Sequence, residues 1–152
     1  MAEPLRIYLD TSVPNAVLDP KNPHRQSETK AFWTRLDQYR VFISHLVLGE
    51  IDQTPDPQKH DQLRDLVKEF QILPADDPEV ELLALAYVQA RIIPATHIDD
   101  ATHIAVASVN RLDAVVSWNY QHMVKLKTKR EVNAINLLRG YPLLEIVDPS
   151  ML

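Results

Sequence analysis

The sequence predicts an α/β fold in which a central, mainly parallel sheet is covered by helices on both faces, a three-layer α/β/α sandwich. Three observations predict it. Short apolar runs rich in β-formers alternate along the chain with longer segments of helical periodicity. The composition, 45% apolar and 24% charged residues, is that of an ordinary soluble globular protein. The length of 152 residues, with no linker-like tract or internal repeat, suits one domain spanning 1–152.

The elements follow in order. Leu5 to Leu9 alternates apolar residues and ends at Asp10-Thr11-Ser12, giving a first strand with Asp10 at its carboxyl end. Pro14 suits the first turn of a short helix, and the turn-rich segment 19–23 follows. A helix resumes near Arg25, because Phe32, Leu36 and Tyr39 recur at helical spacing. Val41 to Ser44 reads as strand two, and His45 to Asp52 as a short helix carrying Glu50, despite Gly49. Residues 58–69 form an amphipathic helix and 71–74 a short strand. Residues 78–91 form a helix capped by Asp76 or Asp77, apolar over so wide an arc that it should be largely buried. Asp99 and Asp100 open the next helix, with Asp99 assigned to capping. Ala114 to Ser117 is an apolar strand, and Trp118 to Lys129 a loop. Val132 to Arg139 is a helix closed by Gly140, and Leu143 to Val147 a last strand.

Composition narrows the function classes. With only two glycines, neither a Gly-rich dinucleotide loop nor a P-loop can be built in the usual way. Zero cysteines exclude disulfides, thiolate zinc sites and a cysteine nucleophile. The N-terminal residues show neither a basic nor an apolar export region, and no apolar run suits a membrane span, so a cytoplasmic location is expected. The net charge of −5 argues against a passive nucleic-acid binder. Its distribution is uneven. Residues 1–113 hold 11 basic and 18 acidic residues, whereas 114–152 hold 5 and 3, the basic ones mostly Lys125, Lys127, Lys129 and Arg130.

In a parallel α/β fold the ligand site lies beyond the carboxyl ends of the strands. Asp10 and Ser117 sit at strand ends, and Glu50 and Asp100 on helices that follow strands, so all can face one crevice. Two unit charges ~4 Å apart at an effective dielectric of 20 repel by roughly 4 kcal/mol, so converging carboxylates need a cation. With oxygen ligands and no thiolates that cation is Mg²⁺ or Mn²⁺, which polarises a phosphoryl oxygen and lowers the pKa of bound water. Asp10 and Asp100 are the candidate ligands, with Glu50 a ligand through water or the group that orients the attacking water. Each residue has an ordinary reading when taken alone: a turn residue for Asp10, a solvated surface acid for Glu50, a helix-terminal charge for Asp100.

The segments Tyr8-Leu9-Asp10-Thr11-Ser12, Ile43-Ser44 with Glu50-Ile51, Asp100-Ala101-Thr102-His103-Ile104-Ala105 and Val116-Ser117-Trp118-Asn119 resemble the successive motifs of PIN-domain proteins. Many of those are toxins of bacterial toxin–antitoxin pairs. The resemblance implies an α/β/α sandwich and Mg²⁺- or Mn²⁺-dependent cleavage of RNA. It further implies homodimers and a small antitoxin that occludes the site. It assigns Asp10, Glu50 and Asp100 to the acidic triad, with Thr11, Ser117 and Asn119 in support. Many PIN domains carry a fourth acidic residue where this chain has Asn119, which brings no charge.

Outside the triad, His103 lies on a helix face similar to that of Asp100, and core packing competes with a ligand role. His122 with Lys125, Lys127, Lys129 and Arg130 would form a phosphate-contacting rim, against the alternative of a solvated basic face. Trp33 reads as core, and for Trp118 a packing role outweighs the alternative of stacking on a base. Two rival functions remain: a catalytically silent protein- or RNA-binding module, and a phosphatase of the haloacid dehalogenase sort. The latter requires a second Asp where this chain has Ser12.

Overall fold

Strands β1 (Arg6–Leu9), β2 (Arg40–Ser44), β3 (Gln71–Leu73), β4 (Ala114–Val116) and β5 (Glu145–Val147) form one sheet in the order β3-β2-β1-β4-β5. Every neighbouring pair is parallel. The coordinates are a computed structural model and describe residues 3–152; Met1 and Ala2, part of the stretch read for an export signal, lie outside the described residues. Seven α-helices complete the sandwich: α1 (Ser12–Val17), α2 (Pro23–Trp33), α3 (His45–Asp52), α4 (Pro57–Val67), α5 (Pro78–Gln89), α6 (Ile98–Val109) and α7 (Leu126–Leu138). They pack in two sets, α5 against α6 and α7, and α1 against α2 and α4 with α3 beside α4.

Local chemistry explains most boundaries. Ser44 ends β2 and caps α3, its hydroxyl accepting from the Leu46 amide at 3.2 Å. Asp56 and Asp77 cap α4 and α5, each followed by a proline in the first turn. Helix α7 closes on Gly140 at φ +81°, with the amides of Gly140 and Tyr141 bonded back to the carbonyls of Leu137 and Asn136.

Three sequence expectations are corrected. Helix α2 stops at Trp33, and Leu36–Gln38 is a separate 3₁₀ turn. The Thr34 hydroxyl donates to the Ala31 carbonyl at 2.6 Å, competing with the helical ladder, while Leu36 and Tyr39 still pack on the core from non-helical backbone. Helix α7 begins at Leu126 rather than near Val132, so Lys127, Lys129 and Arg130 are helical. Its buried face starts with Thr128, a polar residue invisible to apolar periodicity. Helix α5 is not largely buried: Val80, Leu83, Ala84, Ala86 and Tyr87 face inward, but Leu82 is 63% and Leu85 45% exposed. A wide apolar arc is therefore only half used.

Strand β1 is the sheet's centre and its topological switch point. The chain passes from β1 to β2 on one side, and β4 returns on the other. Ile7, Tyr8 and Leu9 are fully buried, as are Val115 and Val116 beside them. Parallel pairing continues one residue past each strand, with Asp10 N–H donating to Val116 O and Ser117 N–H to Val147 O. A switch point opens a crevice at the carboxyl ends of its strands, and Asp10 and Ser117 are the residues there.

Burial sorts the helix positions by consequence. Ile104→Ala, in the fully buried face of α6, is expected to cost about 2–5 kcal/mol of stability. Leu82→Ala, on the open face of α5, is expected to change it by no more than about 0.5 kcal/mol. Urea unfolding of the two variants checks the difference.

Candidate active site

The carboxylate of Asp10 is only 4% exposed, at the head of the crevice. Its Oδ1 accepts from the Ser12 hydroxyl at 2.5 Å and the Ser12 amide at 3.1 Å, and its Oδ2 accepts from the Ser117 hydroxyl at 2.6 Å. All these donors are neutral. Burial pushes the Asp10 carboxyl above its ordinary range and Glu50 adds to this, while the charge of His103 and the serine hydrogen bonds oppose it.

From Asp10 the network runs to Asp100. The Ser117 oxygen accepts from the Asn119 amide at 2.9 Å, and the Asn119 side chain donates from Nδ2 to Asp100 Oδ2 at 3.1 Å. The same Asp100 oxygen meets His122 Nδ1 at 3.0 Å, and the His122 backbone amide donates to Asn119 Oδ1 at 2.9 Å. Asn119, the position without the expected charge, thus braces Asp100 with its amide.

A second network holds Glu50. Its Oε1 accepts from the Thr11 hydroxyl at 2.6 Å and meets His103 Nε2 at 2.7 Å. The other nitrogen of His103 meets the Tyr8 hydroxyl at 2.6 Å, and Tyr8 meets Ser44, the cap of α3, at 2.7 Å. Burial disfavours a charged His103, yet the Glu50 bond and the fields of Asp10, Glu50 and Asp100 outweigh it and raise its pKa. Burial likewise works against the Glu50 anion, but the bond and charge of His103, with the Thr11 bond, leave its carboxyl below the ordinary value. His103 is therefore a core residue whose proton affinity is raised by the acids around it.

The remaining sequence candidates do not form the expected rim. His122 is buried against Asp100, its ring 4.1 Å from that of His97, and is not part of an open rim. Lys125, Lys127 and Arg130 are exposed at the start of α7, and Lys129 pairs with Glu145. Asp99 does not cap α6: the N-cap is His97, because a 3₁₀ turn at Ala95–His97 leads into the helix one residue early, and Asp99 is exposed in the first turn. Trp118 is packed, its indole nitrogen donating to Thr29 at 2.8 Å. Sequence reasoning missed Arg25 and Lys59, which line an open cleft of about 410 Å³ next to Ser12. No periodic or motif signal connects those two positions.

Among the described residues, no group of three or more His, Asp or Glu side chains stands ready to hold a metal ion. The bonding of Glu50 Oε1 is taken up by Thr11 and His103. The donor chemistry nonetheless fits a hard divalent cation held sparsely. Asp10 and Asp100 offer oxygen ligands with water to complete the shell, the arrangement Mg²⁺ favours over an all-protein cage. Both ring nitrogens of His103 are engaged, which leaves it outside such a shell.

Fold and site together define an α/β protein with an acidic crevice at the switch point of a parallel sheet. Residues 7–121 match the PIN domain, and the chain belongs to the PIN-domain family. No curated protein matches it. Solved structures with a similar fold include the toxin–antitoxin complex from Klebsiella pneumoniae, at 16% identity, TM-score 0.60, and coverage of 80% of this chain and 93% of that one. VapBC2 from Rickettsia felis bound to a promoter DNA fragment aligns at 10% identity and TM-score 0.60, over 95% of this chain and 98% of that one. DNA-bound VapBC from Salmonella typhimurium aligns at 16% identity and TM-score 0.59, with the same coverages.

The His103–Glu50 pair sets a pH signature. Its Glu50 share of stability is present above the ordinary Glu value of 4.5 and lost as pH falls through the lowered one. Its His103 share is present below 6.5 and lost as pH rises through the raised one. The stability gap between the wild type and His103→Gln is therefore expected to be widest between pH 4.5 and 6.5, as read from urea midpoints across pH.

Proposed function

We propose that the protein is a metal-dependent endoribonuclease that hydrolyses RNA phosphodiester bonds, the toxin of a toxin–antitoxin pair. The observation that carries this reading is the bonded path from Asp10 through Ser117 and Asn119 to Asp100, in a chain that belongs to the PIN-domain family. Asp10 and Asp100 would hold Mg²⁺ or Mn²⁺. When bound, the ion would polarise a phosphoryl oxygen and ease deprotonation of a water. Ser12 and Ser117 keep the Asp10 carboxylate in one orientation, and Asn119 with His122 does the same for Asp100. Glu50, fixed by Thr11 and His103, presents a carboxylate to orient the attacking water.

The toxin–antitoxin complexes among the structural neighbours support a small antitoxin as partner, and a homodimer is the assembly that the family resemblance implies. No helix among the described residues is long and apolar enough to cross a membrane. A silent RNA- or protein-binding module is the competing reading, favoured by Asn119 and by the absence of a ready-made metal group.

Incubation with labelled RNA and Mn²⁺ or Mg²⁺ is expected to give cleavage that EDTA abolishes. Asp10→Asn and Asp100→Asn should each reduce the rate by at least about 100-fold, equivalent to ~2.7 kcal/mol of transition-state stabilisation. Absence of cleavage by the wild type, or full activity in the variants, would give the binding-module reading the lead.

A further inference from the structure

The open cleft beside Ser12 has a composition unlike that of the acidic crevice it adjoins. Ser12, which bonds Asp10, stands at one edge, Trp118 forms part of the wall, and Asn15, Asn22, Arg25 and Lys59 supply amides and cations. Its volume of about 410 Å³ lies within the roughly 300–1,000 Å³ range of small-ligand sites. Among the described residues neither Arg25 nor Lys59 makes an ion pair, although seven pairs involving Lys, Arg or His form elsewhere. Arg25 is also held in place: its guanidinium carbon lies 5.5 Å from the Trp118 ring centre and 5.4 Å from that of Tyr120. Tyr120 is itself tethered, its hydroxyl donating to Asp148 at 2.5 Å.

A cation stacked on two aromatic rings has already lost much of its rotamer freedom, so engaging an anion costs less order. The one carboxylate on the cleft, Asp19, accepts from the Lys21 amide at 3.0 Å and the Asn22 side chain at 2.7 Å, and it feels the charge of Lys59 without forming an ion pair with it. Two unpaired cations next to the Asp10 support are what a polyanion needs if one of its phosphates is to sit over an acidic site.

We propose that this cleft is a nucleotide subsite in which Arg25 and Lys59 hold a backbone phosphate of single-stranded RNA, flanking the phosphate presented to Asp10. The assignment rests on the ribonuclease reading for its substrate and explains how a chain of net charge −5 retains RNA. The stacked guanidinium fixes the strand's direction into the crevice, Lys59 adds a more mobile charge, and the two asparagine amides are available to sugar or base edges.

The test measures binding of a labelled oligouridylate RNA 12-mer in EDTA, where no divalent ion is available for cleavage, at several salt concentrations, together with cleavage of the same RNA in Mn²⁺. Arg25→Gln and Lys59→Gln should each raise Kd by about three- to tenfold and flatten the plot of log affinity against log salt by roughly 0.7 for each lost phosphate contact. Lys30→Gln, on the same helix but outside the cleft, should change neither, and thermal melts establish that each variant is folded. If the wild type cleaves RNA but both variants bind and cleave like it, the subsite is overturned while the nuclease stands. If the variants lose binding but no protein cleaves, the subsite stands and the nuclease reading fails. A wild type that does not bind the 12-mer overturns the subsite. So does a decaglutamate peptide whose binding alone depends on Arg25 and Lys59, because the cleft then serves an acidic protein segment.

Discussion

A carboxylate buried at the end of the central strand is the constraint around which the rest of the site is organised. Asp10 cannot move away from its position, because β1 is paired on both sides and its three preceding residues are fully buried. An isolated carboxylate in such a place would be strongly disfavoured. Ser12 and Ser117 supply hydroxyls within hydrogen-bond distance of its two oxygens, and both serines are fixed by the backbone that places Asp10. The start of α1 and the end of β4 are therefore tied to one side chain.

Neutral hydrogen bonds satisfy Asp10 without neutralising it, and the charge balance is set one layer away. His103 lies on the buried face of α6, where the bond to Glu50 and the fields of three carboxylates outweigh burial and raise its proton affinity. The bond to His103 favours Glu50 as an anion. Asn119 fits the same economy of charge. An acid at that position would add a fourth negative group beside Asp100, whereas the amide donates to it.

Much of the fold was legible. Helix α3 was read at its observed bounds from His45 to Asp52, and the sheet was recognised as parallel because apolar strands alternated with helices. The errors share a cause. The Leu36–Tyr39 segment and the outer face of α5 carry apolar residues whose spacing is helical, but spacing does not say whether a helix continues or whether a second layer covers it. The first turns of α7 failed in the opposite sense, since lysines and a buried Thr128 gave no apolar pattern to follow. For the site, the positions of Asp10, Glu50 and Asp100 on their elements were readable. The bonds made by His103, His122 and Asn119 were not, because each joins residues remote in the sequence or turned inward from a loop.

The order of strands and helices, the carboxylates at their ends and the lack of any cysteine chemistry are written in the sequence. Those properties depend on local propensity, capping and periodicity, which act over a few residues. The burial of Asp10 among serines, the bonding of His103 between Glu50 and Tyr8, and the stacking of Arg25 on Trp118 and Tyr120 arise only in the folded chain. Apart from the local Ser12–Asp10 bond, these pairings join residues from 53 apart, as Glu50 and His103, to 107 apart, as Asp10 and Ser117. They exist because the parallel crossovers bring distant strand ends to one edge of the sheet, a proximity that no local pattern encodes.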